Sequence, residues 1–148
     1  PGPIVGCSSR PLGALVYVAT CSPDFAARWF PDGATREALA QAPSLQFGRH
    51  DELQDRWIAK RFDPSPPRPT HRIPSSQGFV DAALAGLGWG MNPASLAAPH
   101  RAAGRLVALD GGRPLAVPLF WHWSRAVEPA LRGLTEAVGE AARRQLAG

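Results

Sequence analysis

Apolar residues along this chain occur in short runs, and the spacing within the runs changes between strand-like and helix-like patterns. Residues 12–20 are a continuous, partly β-branched apolar run with a proline close to each end, which predicts a buried strand. Ser22, Pro23 and Asp24 follow, and they supply an N-cap, a proline at the first helical position and an acid in the first turn. We therefore expect a strand that leads directly into a helix ending near residue 30.

The same alternation continues to the end of the chain. Short apolar or β-rich runs predict five more strands, over residues 44–47, 70–73, 88–91, 106–109 and 115–123. Helical spacing and capping residues predict helices over residues 35–41, 51–62, 92–98 and 127–146, and another that starts at Ser75 and Ser76 and ends at Gly86 or Gly88. Strands that alternate with helices indicate an α/β sheet with helices on its faces.

Glycines mark the predicted strand at residues 88–91. Because glycine permits a close approach of the backbone, Gly88 and Gly90 indicate that this strand passes through a crowded part of the fold. Together with Gly86 they do not match the spacing of a dinucleotide-binding fingerprint, and they enter a strand instead of leaving one. We therefore assign them a packing role.

The chain has 148 residues, of which 45% are apolar and 19% are charged. This length allows one ordinary domain or two small lobes with a real core. Cys7 and Cys21 are the only cysteines, which excludes a disulfide framework and a four-cysteine zinc site, and we expect both thiols to be reduced. No apolar run reaches ~18 residues and the first residues do not form a signal-peptide pattern, so we expect no membrane partner and a cytoplasmic location.

The formal net charge is +4, and nearly all of the positive charge comes from arginine, since Lys60 is the only lysine. A basic domain can indicate a polyanionic partner. The cationic residues are scattered, however, and their densest groups do not alternate with aromatic residues as they do in a groove that binds single-stranded nucleic acid. We interpret the charge as solvated surface and do not expect these residues to bind nucleic acid by themselves.

Motifs for catalysis are missing from the sequence. It contains no nucleophile elbow, no phosphate-binding loop and no dinucleotide-binding fingerprint. No two of the four histidines have the helical spacing of metal ligands. Without a nucleophile–base pair we expect no enzymatic activity, and we predict neither a metal site nor a cofactor.

Polar residues follow three of the predicted strands. Ser75, Ser76 and Gln77 open a helix, whose free N–H groups and dipole suit a carboxylate or phosphate. Asp51 could receive a cationic group, and Asn92 offers both a donor and an acceptor. Because ligands in open α/β sheets bind outside the carboxyl ends of the strands, we expect these five residues at one crevice. Simple helix capping by the serines and by Asp51 remains the alternative.

Several segments, in order, resemble the effector-binding domain of LysR-type transcriptional regulators, and more closely the ArgP/LysG subfamily. They are LGALVYVA (12–19), SPDFA (22–26), FPDGAT (30–35), AP (42–43), DELQD (51–55), SSQGF (75–79), GLGWGMNP (86–93) and PLFWHW (118–123). The resemblance covers nearly the whole chain, and the ordered set is more specific than any single segment.

The resemblance implies a periplasmic-binding-protein-like α/β effector domain, with one complete Rossmann-like lobe and part of the second. Residues 1–21 would be the crossover region of the first lobe, residues 22–104 the second lobe, and residues 105–148 the return to the first. It also implies a homo-oligomer that contacts DNA only through an N-terminal winged helix-turn-helix, which these residues do not contain. We further expect an exposed apolar surface and a bare strand edge on the returning segment.

The resemblance also implies a small-molecule effector, a basic amino acid such as lysine or arginine, in regulators of basic amino acid export. The α-carboxylate would sit at Ser75 and Ser76, and the cationic end would need an acid such as Asp51, because an unpaired buried cation is costly. Gly48 stands where subfamily members often carry an acid. The alternative function is a free-standing α/β sensor or solute-binding module without DNA binding.

Overall fold

The computed structural model describes residues 5–146, which belong to two compact units. One unit is Tyr17–Leu115, and the other contains the described residues 5–16 and 116–146. The long strand β1 (Cys7–Cys21) contributes residues to both. All five candidate site residues lie in the unit Tyr17–Leu115.

Helices and strands alternate through the unit Tyr17–Leu115, as the sequence predicts. In chain order the elements after β1 are α1 (Pro23–Trp29), α2 (Arg36–Gln41), β2 (Ser44–Gln46), α3 (Leu53–Ala59), β3 (Thr70–Arg72), α4 (Ser76–Leu84), β4 (Gly90–Pro93), α5 (Ala94–Ala102) and β5 (Val107–Ala108). A short 3₁₀ turn over Asp110–Gly112 precedes the next strand.

Three of these helices have a side-chain N-cap. The hydroxyl of Ser22 accepts a hydrogen bond from Phe25 N at 3.3 Å, and Thr35 caps α2 in the same way. The Ser75 hydroxyl accepts from Gly78 N at 3.1 Å at the start of α4. Each hydroxyl satisfies a backbone donor that has no partner inside the helix, so the predicted caps are confirmed.

Two small sheets organise this unit. In the first sheet, β1 lies between β4 and β5 and pairs antiparallel with both. In the second, β2 and β3 pair in parallel. Leu45 N donates to Trp89 O at 2.7 Å, so the chain just before β4 runs alongside β2. The carboxyl end of β2 and the start of α4, which follows β3, are thereby held in one unit.

The core consists of two buried clusters. One centres on Trp57 and Trp89, whose ring centroids are 5.5 Å apart. The other packs Phe79 and Val80 of α4 against Leu45 of β2. A Cβ at Gly90 would come within 2.8 Å of the Phe79 ring atom Cζ, which confirms the predicted crowding along this strand.

The proline-rich link at residues 63–69 is fixed by Arg68. Its side chain is only 5% exposed, and Nη1 pairs with Asp55 Oδ1 of α3 at 2.8 Å. Nε donates to Ser44 Oγ of β2 at 3.1 Å, and the guanidinium lies 5.8 Å from the centroid of the Trp89 ring. The expectation that the arginines form a solvated surface is therefore wrong for Arg68, because a planar guanidinium can satisfy several acceptors while its face covers an aromatic ring.

The second unit contains part of β1, most of the strand β6 (Pro114–Ser124) that pairs with β1, a 3₁₀ turn (Arg125–Val127) and α6 (Arg132–Gln145). Trp121 Nε1 donates to Thr135 Oγ1 at 3.1 Å and ties β6 to α6. Val127 and Leu134 are 46% and 50% exposed, so part of the apolar surface in this unit faces solvent.

Three of the predicted helices have wrong boundaries. Asn92 and Pro93 do not begin α5; they extend β4, where Asn92 pairs with Val18 of β1. A residue before proline avoids the helical region, which favours the extended conformation at Asn92. The C-terminal helix begins at Arg132 instead of residue 127, and α3 covers only part of the predicted 51–62.

Candidate functional site

A pocket of about 480 Å³ opens within the unit Tyr17–Leu115. It lies where the loop after β2, the first turn of α4 and the strands β1 and β4 come together. Its walls are largely apolar and aromatic, and are formed by Tyr17, Phe47, Leu53, Phe79, Met91 and Pro93. This volume and lining are typical of a site for a small organic molecule, in which a few polar groups fix the orientation.

Asp51 is the acid of this pocket, and its carboxylate is held in place by backbone donors. Oδ2 accepts from Phe47 N at 2.8 Å, and Oδ1 accepts from Leu53 N at 3.1 Å. The side chain therefore serves the first turn of α3, as the capping alternative predicts. A carboxylate has about four lone-pair sites, so these bonds leave acceptor capacity for a ligand.

Tyr17 lies on the β1 side of the same pocket. Burial raises the pKa of its phenol above the ordinary value, and the negative charge of Asp51 raises it further. Tyr17 is thus a neutral hydroxyl at physiological pH that can donate or accept a hydrogen bond.

Ser76 brings the N-terminus of α4 into the pocket. The neighbouring Ser75 uses its hydroxyl to cap the helix through Gly78 N. Gln77 points elsewhere, since its Nε2 donates to Asp81 Oδ1 at 3.1 Å on the exposed helix surface. The first-turn N–H groups of a helix have no partner within it, and with the helix dipole they favour an anionic group at this end of the pocket.

Asn92 is completely buried beside the pocket and does not line it. Its Nδ2 donates to Thr20 Oγ1 of β1 at 2.9 Å. Its strand neighbours Met91 and Pro93 do line the pocket, and successive side chains of a strand point to opposite faces. The structure therefore brings Asp51 and Ser76 into one pocket, with Ser75 beside them, and turns Gln77 and Asn92 away.

Sequence reasoning missed the aromatic walls and two polar residues of the pocket, Arg49 and His50. Both directly precede Asp51 in the loop after β2, so their position next to a candidate residue was the available signal. The apolar pattern predicts Tyr17 only as part of a buried strand. Its contribution to the pocket depends on β1 pairing with β4.

Within residues 5–146 no group of three or more histidine, cysteine or acidic side chains is arranged to hold a metal ion. In the same range no helix is long and apolar enough to cross a membrane. Burial raises the pKa of the Cys21 thiol to about 12, which keeps it protonated and unreactive.

Residues 2–143 match the family model described as the LysR substrate binding domain. The chain belongs to this family. The LysR domain has a periplasmic-binding-protein-like α/β fold, and the predicted fold class and the predicted resemblance to the ArgP/LysG subfamily are confirmed.

Curated relatives of this LysR domain include two transcriptional regulators. The HTH-type transcriptional regulator LysG of Mycobacterium tuberculosis is 42% identical over 140 residues, which are 95% of this chain and 46% of the relative. The HTH-type transcriptional regulator ArgP of Pseudomonas aeruginosa is 42% identical over 134 residues, 90% of this chain and 44% of the relative. The chain thus spans about half the length of the curated relatives it matches.

Solved structures of LysR proteins share the fold across the whole chain. The C-terminal domains of a LysR family protein from Agrobacterium tumefaciens superpose with a TM-score of 0.94 at 50% identity, covering 99% of this chain and 70% of that one. Full-length LysG from Corynebacterium glutamicum, solved with bound effector Arg, gives a TM-score of 0.85 at 36% identity, covering 100% of this chain and 50% of that one.

Proposed function

We propose that this LysR domain is the effector-sensing part of a transcriptional regulator and that its effector is a basic amino acid, lysine or arginine. The observation that carries the proposal is that Asp51 and the N-terminus of α4 line the same apolar-walled pocket. An amino acid with a cationic side chain has complementary charges at its two ends. The arginine bound to the related LysG of Corynebacterium glutamicum supports the same ligand class.

In the proposed complex the α-carboxylate of the effector lies at the first turn of α4. The backbone N–H groups of Ser76 and Gln77 and the helix dipole stabilise its negative charge. The methylene groups contact the apolar walls, which include Phe79 and Met91. The ammonium or guanidinium group pairs with Asp51, because a cation removed from water needs an anionic partner.

Effector binding is proposed to regulate transcription by changing the conformational equilibrium of the whole regulator. Coupling free energies of about 1–3 kcal/mol are typical of such switches. We assign residues 1–21 and 105–148 to one lobe of the effector domain and residues 22–104 to the other. The proposed regulator is a cytoplasmic homo-oligomer that binds DNA through a separate winged helix-turn-helix and controls export of the basic amino acid.

Isothermal titration calorimetry with three ligands tests the assignment of the two charges. L-arginine is compared with L-citrulline, which keeps the shape but is neutral at the side chain, and with agmatine, which lacks the α-carboxylate. We expect the protein to bind arginine at least about tenfold more tightly than either analogue, since each lost interaction is a hydrogen bond to a charged group.

The variant Asp51→Asn tests the acid directly. We expect it to bind arginine and citrulline with nearly equal affinity, whereas Asp32→Asn, which changes an exposed turn, keeps the preference for arginine. Equal affinity of the unchanged protein for arginine and citrulline would contradict the pairing with Asp51. No binding of arginine or lysine at millimolar concentration would contradict the proposed effector class.

A further inference from the structure

A glutamine is buried behind the pocket wall. Gln54 in α3 is completely inaccessible to solvent and has the buried apolar side chains of Trp57 and Ile58 as its near neighbours on the same helix. It does not line the pocket itself. A residue in this place contributes to the core, where an apolar side chain is the usual choice.

Only the nitrogen of the Gln54 side-chain amide has hydrogen-bond partners. Its carbonyl atom Oε1 is buried and has no hydrogen-bond partner among residues 5–146. An unpaired buried acceptor destabilises a fold. Any compensating contribution of the Gln54 amide therefore comes from the hydrogen bonds that its nitrogen donates.

The nitrogen connects the strand before the pocket to the acid within it. Nε2 donates to the carbonyl of Leu45 in β2 at 2.6 Å and also lies 3.5 Å from Oδ2 of Asp51. An amide NH₂ has two protons, one for each of these acceptors. The bond to Leu45 O in β2 is short, and the bond to the Asp51 carboxylate is longer.

The same carboxylate oxygen, Oδ2, accepts from Phe47 N, and Gln46 Nε2 donates to the backbone carbonyl of Asp51 at 2.8 Å. Gln46 thus holds the backbone of Asp51, and Gln54 is a third donor to its carboxylate, beside the backbone N–H groups of Phe47 and Leu53. The buried Gln54 amide therefore adds a side-chain donor to Oδ2 beside the backbone donor of Phe47, and a further donor restricts rotation of the carboxylate.

We propose that Gln54 is a positioning residue for the carboxylate of Asp51 and thereby determines how strongly the site prefers a cationic effector over a neutral one. This inference rests on the proposed function, in which Asp51 receives the cation. Gln54 acts through Asp51 and does not touch the effector.

The test compares Gln54→Met with Trp57→Phe in the full chain. Methionine keeps the length of the side chain without its donors. The control removes another buried donor of the same helix, since Trp57 Nε1 donates to Arg113 O at 3.3 Å without contacting Asp51. The quantity measured by calorimetry is the ratio of the dissociation constants for citrulline and arginine. A partly unfolded sample weakens both apparent affinities by the same factor, so this ratio cancels the effect of lost stability.

We expect Gln54→Met to lower the citrulline-to-arginine ratio about two- to tenfold, the range set by one hydrogen bond, while Trp57→Phe leaves the ratio unchanged. If Gln54→Met does not fold, Gln54→Asn replaces it, because it keeps the amide but withdraws it by one methylene, and the same decrease is expected. An unchanged ratio in a folded Gln54 variant overturns the positioning role alone. A parent protein that does not prefer arginine overturns the proposed function and this inference with it.

Discussion

At the scale of single residues, the absence of a side chain at Gly90 allows the pocket wall to form. A Cβ there would lie 2.8 Å from Phe79 Cζ and 3.1 Å from Leu45 Cβ. Gly88 is also crowded, since its Cβ would lie 2.9 Å from Pro43 O. Cβ atoms essentially never come within 3.0 Å of another heavy atom, so Phe79, which lines the pocket, keeps its position only while residue 90 is glycine.

Replacing Gly90 by alanine is therefore expected to destabilise the protein. The Phe79 ring has to move within a packed core, and overpacking of this kind costs about 1–3 kcal/mol. Urea unfolding followed by tryptophan fluorescence measures the change. Gly133→Ala is the matched control, because nothing lies within 4 Å of a Cβ at that helical position, and alanine is the better helix former. Equal midpoints for Gly90→Ala and Gly133→Ala would contradict the crowding argument.

At the scale of elements, Arg68 joins β2, α3 and the link between α3 and β3. Its side chain donates to Asp55, Ser65 and Ser44. Burial by itself would raise the pKa of Asp55, but the hydrogen bonds from Arg68 and Ser65 and the charge of Arg68 hold that pKa below its ordinary value. The link is thus tied to α3, the helix whose first turn is bound by Asp51.

The Asp55–Arg68 pair predicts a pH-dependent stability. A carboxylate whose pKa is lower in the folded than in the unfolded state stabilises the fold above its unfolded pKa, and this contribution disappears as the pH falls through the folded pKa. We expect Asp55→Asn to be less stable than the parent protein near pH ~7, and the difference to shrink below pH ~4. Thermal unfolding across this range measures it, with Asp32→Asn as the exposed control. A difference that stays constant down to low pH would show that the pair does not stabilise the fold through its charge.

At the scale of the whole molecule, several arginines form ion pairs with carboxylates of the described residues. Arg68 pairs with Asp55, Arg61 and Arg113 lie beside Asp110, and Arg144 lies beside Glu140. These pairs reduce the charge available to a polyanion. The chain also spans only 46% of the LysG relative from Mycobacterium tuberculosis.

We expect residues 1–148 by themselves not to select a DNA sequence. A random-sequence duplex library is incubated with the protein at physiological salt, and bound duplexes are recovered and sequenced. The expected result is no enriched motif, and weak retention that disappears as salt increases, because binding through phosphates alone depends steeply on salt. An enriched motif that persists at physiological salt would show that these residues read DNA bases.

Local signals in the sequence determined the order of strands and helices and the caps that begin them. Ser22, Thr35 and Ser75 each satisfy a backbone donor within three residues, so their role is settled by neighbouring atoms. The ordered segments also carried the resemblance to the LysR family, which the family match confirms. Of the site, Asp51 and Ser76 were predictable because each lies at or just before the start of a helix that follows a strand.

The tertiary structure decided what depends on contacts between distant parts of the chain. The sequence places Asn92 after a predicted strand, as it places Asp51, but in the structure Asn92 belongs to β4. The pairing of β4 with β1 directs its side chain to Thr20 and away from the pocket. Tyr17 becomes a pocket residue, and Gln54 becomes a donor to Asp51, only when these elements pack together. Periodicity records which positions are buried, but the partner of a buried polar atom is set by the packing of separate elements, which no local pattern encodes.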